Sequence, residues 1–200
     1  PPYGACNLGS INLTRFVREP FTTVAALDLE GIAQAAVTAV RLLDNVIDLS
    51  GFPLAEQARQ ARGSRRIGLG ITGLADTLML LQLDYRDQAA VTLATEVMRT
   101  ICHSAYRTSI ALAQEKGPFP FLQTDAYLES PFIQRLPADI RADIAQYGIR
   151  NSHLIAIAPA GTISLLADNL SSGIEPVFDF SYRRLVKDRH GNASWYALTD

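Results

Sequence analysis

Apolar positions recur at helical spacing through three stretches of the chain. Between Leu27 and Leu49 they fall at Ile32, Ala36, Val40, Leu43 and Ile47, with Asp28 placed to cap the first turn. Gly51-Phe52-Pro53 stops this helix, and a shorter one follows from Leu54 to about Arg62. A long helix is predicted from Asp87 to about Glu115. Its stripe is Val91, Ala94, Met98, Cys102 and Ala105, with Ile110 and Leu112 beyond, and Gly117-Pro118 ends it. FPFLQTDAYLESPF is irregular, and a helix from Ala138 to Tyr147 then closes on Gly148.

Strand signals are sparser. The pattern around Ile67–Ile71 predicts a short strand or turn, leading into a helix from about Leu74 to Leu81. LIAIA, 154–158, is a short apolar run that predicts a buried strand. PAGTIS turns the chain, SLLADNLSSG begins as a helix that breaks at Gly173, and FDFSYRRLV, 178–186, alternates as a strand. KDRHGNASWYALTD reads as a hairpin or loop. Strands alternating with helices predict an α/β domain built on parallel pairing, with helix outweighing strand and residues 1–200 forming one domain.

Composition adds exclusions. With 48% hydrophobic and 19% charged residues, the 200-residue chain is ordinary globular material. A net charge of −2 points away from nucleic-acid and membrane surfaces, and no apolar run approaches the ~20 residues of a membrane span. Two cysteines, Cys6 and Cys102, cannot staple a domain of this size, which implies a reducing, cytoplasmic setting. His103, His153 and His190 stand far apart in sequence, so no metal site is predicted.

Three stretches could carry chemistry. GLGITG, 68–73, fits the dinucleotide spacing G-x-G-x-x-G. The ARGSRRI before it is basic and polar where that fingerprint needs a hydrophobic strand, so close backbone packing is the expected role. IAPAGTISLLAD runs from an apolar strand through Pro159, Ala160, Gly161, Thr162, Ile163 and Ser164 into a helix. Free N–H groups and a helix dipole there would attract phosphate, Gly161 allows close approach, and Thr162 and Ser164 bring hydroxyls. A plain helix cap by Thr162 or Ser164 is the other reading, and the residues alone do not choose between them. Cys102 reads as a small buried hydrophobe beside Met98. Cys6 lies among Gly4, Asn7, Gly9 and Ser10, small and polar as beside a ligand, and is a candidate reactive thiol.

PPYGACNLGSINL, RRIGLGITGLADTL and RNSHLIAIAPAGTISLLADNLSSGIEPVF, in this order and separation, together resemble the catalytic subunit of ribonucleotide reductase over essentially the whole chain. The first and last are most similar to the adenosylcobalamin-dependent class. The resemblance implies a helix-rich fragment of that family's ten-stranded α/β barrel. It implies an oxidoreductase in which a thiyl radical on a finger loop takes the 3′ hydrogen of a ribonucleotide and the 2′ hydroxyl leaves as water. Two further cysteines then become a disulfide, a two-electron couple. Cys6 matches the second cysteine of that pair. Pro159 to Ile163 match the loop that holds the substrate phosphates, with Ser164 just beyond, and GLGITG matches a stretch that packs in the barrel.

The cofactor so implied is adenosylcobalamin, with a radical from a di-metal partner subunit as the alternative. The implied partners are a ribonucleoside di- or triphosphate and a thioredoxin-like reductant, with no nucleic acid and no membrane. The finger loop, the first cysteine of the pair and the C-terminal reducing cysteines have no counterpart in this sequence. Residue 1 is Pro rather than Met. The expectation is therefore a C-terminal portion of the barrel from a longer polypeptide, inactive alone and prone to aggregate through an exposed edge. The alternative outside this family is a non-catalytic phosphate- or nucleotide-binding domain that keeps the PAGTIS loop and uses no thiol.

Overall fold

The computed structural model describes residues 2–168, 170–177 and 179–199. The chain opens with a strand that the sequence pattern did not signal, β1 (Asn7–Asn12). A 3₁₀ turn (Leu13–Phe16) and a short antiparallel pair, β2 (Val17–Arg18) with β3 (Ala26–Leu27), follow. Helix α1 (Leu29–Leu49) starts where Asp28 Oδ1 accepts the Gly31 N–H at 3.0 Å, as expected of its cap. Its buried face is Ile32, Ala36, Val40, Leu43 and Ile47, the predicted stripe. Burying each of the larger side chains contributes about 1.5–3 kcal/mol.

After α2 (Ala55–Ser64) the chain enters β4 (Ile67–Thr72), buried throughout. β4 pairs in parallel with β1, from Asn7↔Ile67 to Asn12↔Thr72. A parallel pair needs a long crossover, and α1 and α2 lie within it. Alternation along the strands gives the pair two faces. Ile11, Ile67, Leu69 and Ile71 are buried, and a Cβ at Gly9 would stand 3.5 Å from Leu43 of α1. The opposite face carries Cys6, Leu8 and Ser10 beside Arg66, Gly68 and Gly70.

Helix α3 (Leu74–Leu80) follows at once, then α4 (Gln88–Lys116), α5 (Thr124–Leu128) and α6 (Ala138–Tyr147), the last ending on Gly148 as expected. In the first half of α4 the expected stripe is turned by about one residue, while Ala105, Ile110 and Leu112 are buried as expected. The helix buries Ala90, Val97, Ile101, Ala105, Tyr106 and Leu112, while Val91 is 52% exposed. Ala94, Met98 and Cys102 pack at the margin of the core. Two adjacent rows of this helix are apolar, and periodicity alone does not say which of them faces α1.

The LIAIA stretch is not the buried strand expected. It touches β4 through the single parallel bridge Leu69↔Ile155, with Leu69 N–H donating to Leu154 at 2.7 Å and Ala156 N–H donating to Leu69 at 3.1 Å. Ile157 is 42% exposed. The sheet itself has two strands, and this segment, a third strand of a single bridge, lies along the free edge of β4 with no further strand beside it among the described residues. The helix expected from Ser164 is the single turn α7 (Thr162–Leu166), which starts earlier and ends sooner. β5 (Ser181–Lys187) and β6 (Ala193–Thr199) form an antiparallel hairpin. The predicted strand began at Phe178, which lies outside the described residues. The expected α/β class, rich in helix, is what the chain adopts.

A buried ionic cluster fixes the start of β4. Arg65 holds a left-handed backbone (φ 43°), a costly conformation for a residue with a Cβ. Its Nε donates to Asp44 Oδ1 at 2.9 Å and its Nη1 to Asp48 at 2.7 Å. Asn151 donates to Asp44 Oδ1 at 2.9 Å and to the Arg65 carbonyl at 3.1 Å, and accepts from Ser109 at 2.9 Å. Asp44 and Asn151 are fully buried. The cluster joins α1, α4, β4 and the approach to residues 154–156.

Candidate active site

Cys6 directly precedes β1 and Arg66 directly precedes β4, so the two stand one position before the first strand pair, Asn7↔Ile67. The residue is exposed, but its sulfur sits in the crowd above Gly68. A Cβ built on Gly68 would stand 2.6 Å from Leu8 Cδ2, 2.8 Å from Ala156 Cβ and 3.5 Å from Cys6 Sγ. Only a glycine fits between the thiol and the third strand. Gly70 repeats the arrangement one step along, where a Cβ would overlap the carbonyl oxygen of Ala156. GLGITG therefore serves close backbone approach, as expected, and a dinucleotide site is not what its glycines make room for.

The crowd also sets the thiol's chemistry. Partial burial pushes the Cys6 pKa up, and the positive charge of Arg66 pulls part of it back. The same Arg66 charge, after burial, lowers the pKa of His153 on the adjoining segment. Arg66 Nε is buried without a hydrogen-bond partner. Cys102 is different: burial alone lifts it to about 11, as befits a packing residue.

Three residues beyond Ala156 the chain reaches Pro159 and the loop. Gly161 is the N-cap of α7 at φ 51° and ψ −115°, in the positive-φ range that glycine tolerates best. Neither hydroxyl caps the helix. Ser164 is buried and its Oγ donates back to the Gly161 carbonyl at 2.6 Å, and the N-cap position carries no side-chain cap bond. The Gly161 and Thr162 N–H groups make no hydrogen bond among the described residues. A helix of one turn has little dipole, so any pull on an anion comes from these free N–H groups and the Thr162 hydroxyl. Ile163 is 56% exposed. Gly161 and Ser164 border a cleft of ≈ 360 Å³ together with Ser171, Ser172, Glu175 and Arg184.

The structure thus places Cys6 Sγ and Ala156, on the segment that leads into Pro159–Ser164, around the same space above Gly68. The sequence reading had passed over Arg66, although its alternation with Gly68 and Gly70 marks it as standing on the thiol's face. No group of three or more His, Cys, Asp or Glu able to hold a metal occurs among the described residues. No helix among them is long and apolar enough to cross a membrane.

The chain thus sets a thiol at the start of one strand of a parallel sheet and a cleft of ≈ 360 Å³ beyond the segment that lines the sheet's other side. Residues 2–196 match the family model of the ribonucleotide reductase barrel domain, and the chain belongs to that family. A vitamin B12-dependent ribonucleoside-diphosphate reductase of Mycobacterium tuberculosis is 40% identical over 189 residues, 94% of this chain and 24% of the relative. Its counterpart of the same description in Thermoplasma acidophilum is 36% identical over 187 residues, 92% of this chain and 22% of the relative. A ribonucleoside-diphosphate reductase large chain of Neurospora crassa is 31% identical over 191 residues, 90% and 20% respectively. The chain spans about a quarter or less of the length of these relatives.

Proposed function

We propose that this chain is the part of a ribonucleotide reductase catalytic subunit that carries one thiol of the reducing pair and the loop for the substrate phosphates. The observation that supports this best is the meeting over Gly68 of the Cys6 sulfur and Ala156, three residues before the loop begins. Pro159, Ala160, Gly161, Thr162, Ile163 and Ser164 hold the phosphates of a ribonucleoside di- or triphosphate, through the free N–H groups of Gly161 and Thr162.

Cys6 and a second thiol outside this chain act as the reductant. Each loses one electron and one proton, the two sulfurs join, and the substrate's 2′ C–O bond is replaced by C–H as the oxygen leaves in water. A raised pKa suits Cys6 to this, because the thiol keeps its proton at neutral pH until the reaction takes it. A thioredoxin-like dithiol then restores the pair.

The B12-dependent relatives support adenosylcobalamin as the radical source. A corrin with its nucleotide tail is far larger than the ≈ 360 Å³ cleft at the loop, so these residues do not by themselves form its site.

The test is deoxynucleotide formation by the complete reductase polypeptide with a dithiol reductant, with and without adenosylcobalamin. Product appears only with the cofactor, and Cys6→Ser abolishes turnover while the substrate still binds. Full turnover by Cys6→Ser would overturn the assignment of the thiol. Product that requires a metal-bearing second subunit instead would overturn the radical source alone.

A further inference from the structure

The loop from Pro159 to Ser164 has few anchors of its own. Among the described residues, the one backbone hydrogen bond from residues 158–162 to another segment is the Ala160 N–H to the Ser172 carbonyl, at 2.6 Å. The position of the loop therefore depends on what holds residues 171–173. That segment is gripped from the end of β4 and the start of α3. Thr72 Oγ1 donates to the Ser171 carbonyl at 2.6 Å, and the Gly73 N–H donates to the same oxygen at 3.0 Å. Asp76 Oδ2 accepts the Ser171 N–H at 2.8 Å, and the Leu74 N–H reaches the Gly173 carbonyl at 3.3 Å.

Thr72 and Asp76 are both buried, at 1% and 6% exposure. Asp76 keeps its second oxygen, Oδ1, without a hydrogen-bond partner. A residue present only for packing would be better apolar, since an unpaired buried carboxylate oxygen is costly. What the carboxylate does is hold the Ser171 amide. Ser171 and Ser172 border the same cleft as Gly161 and Ser164.

We propose that Thr72 and Asp76 are positioning residues for the substrate phosphates: they clamp Ser171, and through the Ser172–Ala160 bond they set where the Gly161 and Thr162 N–H groups stand. The inference rests on the phosphate-loop reading above. It gives the GLGITGLAD stretch two tasks. Its glycines admit the third strand beside the thiol, and its Thr and Asp hold the phosphate end of the substrate.

The test compares binding of cytidine diphosphate and of cytidine to the complete reductase, in wild type, Thr72→Val, Asp76→Ala and Asp76→Asn. Thr72→Val conserves shape and removes only the hydroxyl, which guards against loss of the fold; a thermal melt monitors all four proteins. Losing one such hydrogen bond weakens diphosphate binding about 3- to 10-fold. Thr72→Val and Asp76→Ala show that loss with cytidine binding unchanged, and Asp76→Asn, which keeps an acceptor, recovers most of it. Diphosphate and nucleoside affinities falling together, or neither falling, would overturn the inference. Wild-type protein that binds cytidine as tightly as the diphosphate would instead overturn the loop reading, and this inference with it.

Discussion

The two halves of this molecule hold their residues in different ways. In the first, β4 is buried along its whole length between β1, α1 and the third strand, and a buried ionic cluster locks its entrance. In the second, residues 157–199, Leu166 is 88% exposed and both strands of the hairpin face solvent for most of their length. The difference separates two tasks. The packed half fixes backbone geometry, and the open half leaves the Gly161 and Thr162 N–H groups without a hydrogen bond among the described residues. Thr72, Gly73, Leu74 and Asp76 are where the first half takes hold of the second.

The sharpest way to break that contrast is at its buried charges. Asp44→Ala takes one of its two carboxylate partners from buried Arg65 and leaves Asn151 and Arg150 without their shared acceptor, while the Arg65 backbone still sits in a left-handed conformation. The expected loss is about 3–5 kcal/mol, read as a lower denaturation midpoint. A change near zero would mean that Asp48 alone satisfies the arginine. Gly70→Ala comes next. Its methyl group would press on the Ala156 carbonyl, which cannot move without the backbone, at a cost of about 1–3 kcal/mol. The damage would pass along the third strand, so phosphate binding should weaken as well; stability loss with intact binding would uncouple the two halves.

The smallest effect concerns the thiol. Removing the Arg66 charge takes away the one influence that lowers the Cys6 pKa, so the thiolate forms at higher pH. Of the titratable groups nearby, Arg66 just before β4 and His153 just before the segment along its edge, only Arg66 acts on the sulfur. Arg66→Gln should move the pH profile of Cys6 alkylation upward, measured on the Cys6 peptide by mass spectrometry, and Arg66→Lys should restore it. Superimposed profiles would show that burial alone governs this thiol.

Much of the packed half was legible from periodicity. Ile32 through Ile47 formed the predicted face of α1, Asp28 capped it, and Gly148 closed α6. What escaped was built from residues that carry little pattern. NLGSIN contributes Leu8 and Ile11 and otherwise small or polar residues, so β1 left no strand signal, although its pairing with β4 places the thiol. The Asp44–Arg65–Asn151 cluster joins residues far apart in sequence, and such contacts have no local trace. At the site, Cys6 and the PAGTIS loop were legible as unusual stretches, and their likeness to known motifs is the source of the roles proposed for them. The clamp from Thr72 and Asp76 was not legible, because it is made with the backbone of a segment about a hundred residues later in the chain.

The register of β1 against β4 also has a consequence in time. Asn7 pairs with Ile67, so during synthesis the first strand waits for sixty further residues before its partner exists. At ordinary translation speeds of about 5–20 residues per second, that wait lasts roughly 3–12 s. The third strand, carrying Ala156, emerges later still. A hydrophobic β-strand left unpaired for that long invites pairing with other nascent chains. The glycine, serine and asparagines of NLGSIN make it a poor template for such encounters. The composition that hid this strand from periodicity would also protect the thiol beside it until the sheet is ready to receive it.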